Sequence, residues 1–120
     1  MSLLKFKEME LGPIGTNAYV IWKDGQTDCV LVDAPPQCKE EIEAFLQKRN
    51  LSLREIWLTH GHWDHMAGAE SLNSENIHVI GHKDDQIMFE QPEIMSTFAI
   101  PGLQMQPIQV DAWISHGSKL

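Results

Sequence analysis

Basic residues are scarce: nine Lys and Arg stand against seventeen Asp and Glu in 120 residues, a formal charge of −8 with histidine neutral. That balance excludes nucleic acid and anionic membrane as the main partner, because phosphate binding needs a concentrated basic surface. The basic residues are also scattered, and Lys48-Arg49 is their one adjacent pair. No apolar run reaches the length of a transmembrane helix. The opening Met1-Ser-Leu-Leu-Lys-Phe-Lys-Glu turns charged too early for a secretory signal. Cysteine is nearly absent. Cys29 and Cys38 cannot make a disulfide framework, so a reducing, cytoplasmic setting is expected. With 42% hydrophobic and only 22% charged residues, the chain reads as one packed domain rather than a disordered tail. Histidine is the exception to this frugality. There are six, and three fall between positions 60 and 65.

Leu4 and Phe6 alternate with Lys5 and Lys7, as in an edge strand. After the turn cluster Gly12-Pro13-Ile14-Gly15-Thr16-Asn17, the runs Ala18 to Trp22 and Cys29 to Val32 read as strands joined through Asp24-Gly25, a hairpin signal. Both are short, continuous apolar runs, so burial on both faces is expected. Pro35-Pro36 stops the second from extending beyond Asp33. A helix follows over Lys39 to Arg49, with Ile42, Phe45 and Leu46 inward and Asn50 as a left-handed cap. Glu55 to Thr59 and Ile77 to Ile80 read as strands, Asp64 to Leu72 and Lys83 to Glu90 as helices. Trp57 and Phe45 take core positions. Beyond Gln91 three prolines and Gly102 leave loop and short strand pieces. The alternation from Cys29 to Ile80 predicts an α/β layer with a largely parallel section.

The chemistry concentrates in Thr59-His60-Gly61-His62-Trp63-Asp64-His65, where a strand ends and a helix begins. In an extended connection residues two apart point the same way, so His60 and His62 can converge. Asp64 and His65, in the first helical turn, can face the same cavity from another side, and Gly61 lets the backbone bend between the imidazoles. An Asp at a helix start is ordinarily an N-cap. Four titratable groups crowded around one bend, however, repel or desolvate one another unless a positive charge holds them. The donor set suits zinc, manganese or iron.

Thr-His-x-His-x-Asp-His followed by Gly68 resembles the signature of the metallo-β-lactamase superfamily. Gly15-Thr16-Asn17-Ala18-Tyr19-Val20-Ile21, Val30-Leu31-Val32-Asp33 and Ile56-Trp57-Leu58-Thr59 follow in that family's order, most similarly to its glyoxalase II (hydroxyacylglutathione hydrolase)-like branch. The resemblance implies an αββα sandwich, of which residues 1–120 supply roughly the N-terminal half, with two metals at one edge. It implies His60 and His62 on a first metal, and Asp64 and His65 on a second. Asp64 would also orient the nucleophile. Asp33 matches an acidic position beside the site, where a supporting role and a plain strand-end carboxylate are both open. The implied reaction is attack of a metal-bound hydroxide, zinc being the expected metal, on a thioester or related acyl carbonyl.

The chain stops short of the family's third histidine for the first metal, which lies in a Pro-Gly-His-Thr-like motif. A bridging aspartate and a final histidine would come later still. His82, at a strand end, is a better local substitute than His78 in a strand or His116 in a turn. The domain is therefore expected to be truncated at its C-terminus. A non-catalytic homologue that binds metal weakly or acts only in a complex is the alternative. Half a sandwich leaves an apolar sheet face to be covered by a partner or by self-association. Trp63 could wall a metal cleft or pack against the next helix.

Overall fold

A computed structural model of the chain describes residues 3–72, 74, 76–97, 99–103 and 105–117. Two antiparallel hairpins come first, because their turns carry glycine where the backbone must go left-handed. Strand β1 (Leu4–Leu11) turns at Gly12 and Gly15, φ 77° and 67°, into β2 (Thr16–Lys23). Gly25, φ 82°, then leads into β3 (Asp28–Val32).

From there the strands run parallel and each needs a crossover. Helix α1 (Lys39–Arg49) carries β3 to β4 (Ser52–Leu58), and two short helical turns, α2 (Trp63–Met66) and α3 (Ala69–Leu72), carry β4 to β5 (His78–His82). A 3-10 turn (Lys83–Asp85), helix α4 (Gln86–Glu90) and a second 3-10 turn (Pro92–Met95) precede β6 (Ala112–Ile114). Among the described residues the sheet has six strands, in sequence order. Its mixed architecture is that expected from the sequence, including the parallel section and the Asn50 cap of α1 at φ 56°.

Several expectations are corrected. The runs of β2 and β3 are buried on one face only: Ala18, Val20, Cys29 and Leu31 are sealed, while Tyr19, Ile21, Val30 and Val32 are half-exposed or outside the core. The reason is that the helices lie on one side of the sheet, where Ile42, Leu46, Met66, Leu72 and Phe89 complete a core with Ile56, Leu58 and Val79. Trp57 consequently leaves the core. It stands on the uncovered face, its Nε1 donating to Glu55 Oε1 at 2.7 Å. Phe45 is also only half-buried, packed at 5.9 Å from Trp22 with Arg49 over its ring. Finally, the helix expected from Asp64 to Leu72 is broken into α2 and α3, and the one expected from Lys83 begins as a 3-10 turn.

The break between α2 and α3 has a packing cause. Gly68 N–H donates to Ala34 O at 2.8 Å, and Ala34 N–H donates to His65 O at 2.7 Å, stitching the turn onto the segment after β3. So close is the approach that a Cβ on Gly68 would lie 2.0 Å from the Pro35 carbonyl oxygen. Backbone cannot yield there as a side chain would. Gly68→Ala is therefore expected to lower stability by about 3 kcal/mol, the upper end for overpacking. Urea unfolding checks it through a shifted midpoint at unchanged m-value.

Candidate functional site

Parallel strands place their C-terminal ends on one edge, and the registers Val32 opposite Trp57 and Leu58 opposite Gly81 bring Asp33, Thr59 and His82 to it together. Asp33 adds one more rung, its N–H donating to Trp57 O at 2.8 Å. It then turns left-handed, φ 66°, a conformation aspartate tolerates better than most residues. That turn swings its carboxylate over the end of β4, where it is 4% exposed.

Four contacts converge on this carboxylate. Oδ1 accepts from Thr59 N–H at 2.8 Å, and the Thr59 hydroxyl lies 2.9 Å from Oδ1 and 2.7 Å from Oδ2. His65 Nδ1 lies 2.7 Å from Oδ2. Since the carboxylate accepts, the His65 proton belongs on Nδ1 and the lone pair on Nε2. The Thr59 hydroxyl, having given its proton to Asp33, accepts from His60 Nδ1 at 2.9 Å. The His60 lone pair is likewise left on Nε2. One carboxylate thus orients two imidazoles, one directly and one through a hydroxyl.

The ring of His60 lies 4.0 Å from that of His65 and 4.8 Å from that of His62. His65 Nε2 faces Asp64 Oδ2 at 3.4 Å, and Thr16 Oγ1 donates to the same oxygen at 3.1 Å. Burial lowers the pKa of His60 from its ordinary value. The neighbouring His65 pushes the same way, against the pull of the Asp33 carboxylate. Both effects favour the neutral imidazole, the form that binds a metal.

The structure brings His60, His62, Asp64, His65 and Asp33 to one strand edge. Of the remaining histidines, His82 shares the edge but spends its Nδ1 on a cap, and the other two lie exposed. His82 Nδ1 accepts from Asp84 N–H at 3.1 Å and caps the 3-10 turn, His78 starts β5 exposed, and His116 sits exposed in a turn. Among the described residues no three His, Cys, Asp or Glu side chains are gathered as a group that could hold a metal ion. The donor types fit a divalent ion all the same. An imidazole lone pair and a carboxylate oxygen 3.4 Å apart repel unless a proton or a metal cation lies between them. Sequence reasoning assigned no role to Thr16 or Thr59. Their positions, a turn flank and the residue before the first histidine, were visible, but the carboxylates their hydroxyls meet lie 48 and 26 residues away in the chain.

The sequence profile of the Metallo-beta-lactamase superfamily matches residues 11–118. The chain belongs to the metallo-β-lactamase superfamily. Among its relatives is the probable metallo-hydrolase YqgX of Bacillus subtilis, 25% identical over 98% of this chain and 54% of that protein. A hydroxyacylglutathione hydrolase of Ruegeria pomeroyi is 42% identical over 46% of this chain and 21% of that protein. Of solved structures, TTHA1623 in a di-iron-bound form superposes with TM-score 0.75 and 26% identity, over 95% of this chain and 56% of that one. The chain thus spans about half the length of YqgX and of the TTHA1623 chain. This superfamily of metal-dependent hydrolases uses divalent ions, and the αββα fold expected from the sequence is the one these neighbours share.

The metallo-β-lactamase domain leaves no role for its thiols as nucleophiles. Burial, with Asp28 adding to it, pushes Cys29 up to about 11, and burial pushes Cys38 up to about 12. Both stay protonated at neutral pH, and a thiol is a poor nucleophile. At pH 8 a disulfide exchange reagent should find neither thiol in the folded protein and both after guanidinium unfolding, read as absorbance against time.

Proposed function

We propose that this chain forms the metal-binding edge of a hydrolase that cleaves a thioester or related acyl carbonyl, with hydroxyacylglutathione the nearest substrate class. The observation that carries the reading is the confrontation of His65 Nε2 with Asp64 Oδ2 at 3.4 Å while Asp33 occupies His65 Nδ1. Such a pair is at ease with a cation between its members. Substrate class is supported by the hydroxyacylglutathione hydrolase among the relatives.

In this reading His60 and His62 hold one divalent ion, and Asp64 and His65 a second. Zinc is the expected metal, and the same donors suit manganese or iron. Bound, the ions supply Lewis acidity and an activated water at neutral pH. The protein's own work is to orient and to hold protons. Asp33 keeps a proton on His65 Nδ1, and the Thr59 hydroxyl keeps one on His60 Nδ1, so both Nε2 atoms point their lone pairs at the site. Thr16 donates to Asp64 Oδ2 and fixes the carboxylate that orients the nucleophile. A catalytic zinc takes three protein ligands, and His60 with His62 supplies two, so binding to these residues alone is weak.

A second reading, a non-catalytic homologue that keeps the fold and binds metal weakly, is favoured by the lack of any gathered three-donor group among the described residues. Elemental analysis after zinc loading, paired with a thioester assay, separates the two. The hydrolase reading expects bound zinc and turnover that falls about 100-fold or more in Asp64→Asn, with bound zinc lost in His62→Ala. Bound zinc without turnover leaves the second reading. No zinc in the parent, or variants indistinguishable from it, ends the hydrolase reading.

The face carrying Tyr19, Ile21, Val30, Val32 and Trp57, with Glu55 beside them, is largely apolar, and among the described residues no helix covers it. Self-association over that face is part of the same proposal. Gel filtration should show a species larger than the 13.7 kDa monomer, and Val30→Lys should return it to monomer.

A further inference from the structure

Asp85 begins α4 as its N-cap, where an aspartate ordinarily accepts from its own helix's first N–H groups. It makes no such bond. Its Oδ2 instead accepts from the N–H of Gly61 at 3.0 Å, across 24 residues of sequence. Gly61 is buried and lies between His60 and His62. A Cβ there would meet Met88 Cβ at 2.9 Å, Asp85 Cβ at 3.1 Å and Met88 Cε at 3.1 Å. The 3-10 turn and α4 therefore press directly on the bend that separates the two histidines.

This bend is held at two amides. Asp33, from the end of β3, takes the N–H of Thr59, and Asp85, beyond the end of β5, takes the N–H of Gly61. His60 lies between the two anchors, and His62 follows the second. His62 is exposed and its ring makes contact with His60, so its direction depends on the backbone that carries it.

We propose that Asp85 is a positioning residue for metal binding: by forgoing its helix cap and holding the Gly61 amide, it sets the spacing of His60 and His62. The inference rests on the reading that these histidines bind a metal. An acceptor is all that the geometry requires, so asparagine at this position would serve and alanine would not.

The test is zinc affinity by competition with a chromophoric chelator, with hydrogen exchange at the Gly61 amide measured on the metal-free protein. Asp85→Ala should bind zinc about 10- to 100-fold more weakly, the usual effect of removing a support behind a ligand. Its Gly61 amide should lose protection. Asp85→Asn should stay within about threefold of the parent, and Asp84→Asn, at the neighbouring exposed carboxylate, should match it. Gly61→Ala, which keeps the Asp85 carboxylate but forces the bend away from Met88 and Asp85, should weaken zinc as Asp85→Ala does and serves if that variant does not fold. A parent that binds zinc while Asp85→Ala binds equally well overturns the inference and leaves the metal reading standing. Loss in Asp85→Asn equal to that in Asp85→Ala overturns it too, since charge and not the amide bond would then matter. A parent that takes up no zinc removes the metal reading and this inference with it.

Discussion

A single buried carboxylate at the end of a parallel strand organises everything around it. Asp33 is nearly sealed from water and accepts the Thr59 amide, the Thr59 hydroxyl and the His65 ring. Its left-handed backbone is the means by which β3 delivers an acceptor over the end of β4 instead of running on past it. Remove the acceptor and Thr59 and His65 lose the group that orients them. The strain of the turn is thus held by bonds that all belong to the site. Stability and chemical orientation share one group.

The second constraint is that one face of the sheet carries the helices. The core lies between them and the alternate residues Ala18, Val20, Leu31, Ile56, Leu58 and Val79. The opposite face keeps Val30, Val32, Trp57 and Ile80 only half-covered. The solved relatives are about twice the length of this chain. Composition alone could not distinguish a strand buried on both faces from one buried on a single face.

Close backbone approach sets the edge's geometry. Gly68 lies against the Pro35 carbonyl and Gly61 against Met88 and Asp85, so α2 is held down at its far end and the histidine bend is clamped at its near end. Neither position needs a left-handed backbone; what each needs is the absence of a side chain. Between these two points lie His62, Asp64 and His65, whose directions follow from the path of the main chain.

The sequence by itself determined the strand and helix order to Ile80, the left-handed cap at Asn50, and the clustering of three histidines and an aspartate at one strand-to-helix bend. These are local matters, set by apolar periodicity, turn residues and spacing. Tertiary structure alone decided which nitrogens carry protons, because the partners of His65 and Thr59 lie in a different strand's end. It alone showed that Trp57 faces outward, since outward depends on where the helices pack. It alone turned Asp85 from a helix cap into an acceptor for the Gly61 amide, because a carboxylate chooses between two donors by distance in space, and sequence separation says nothing about that distance.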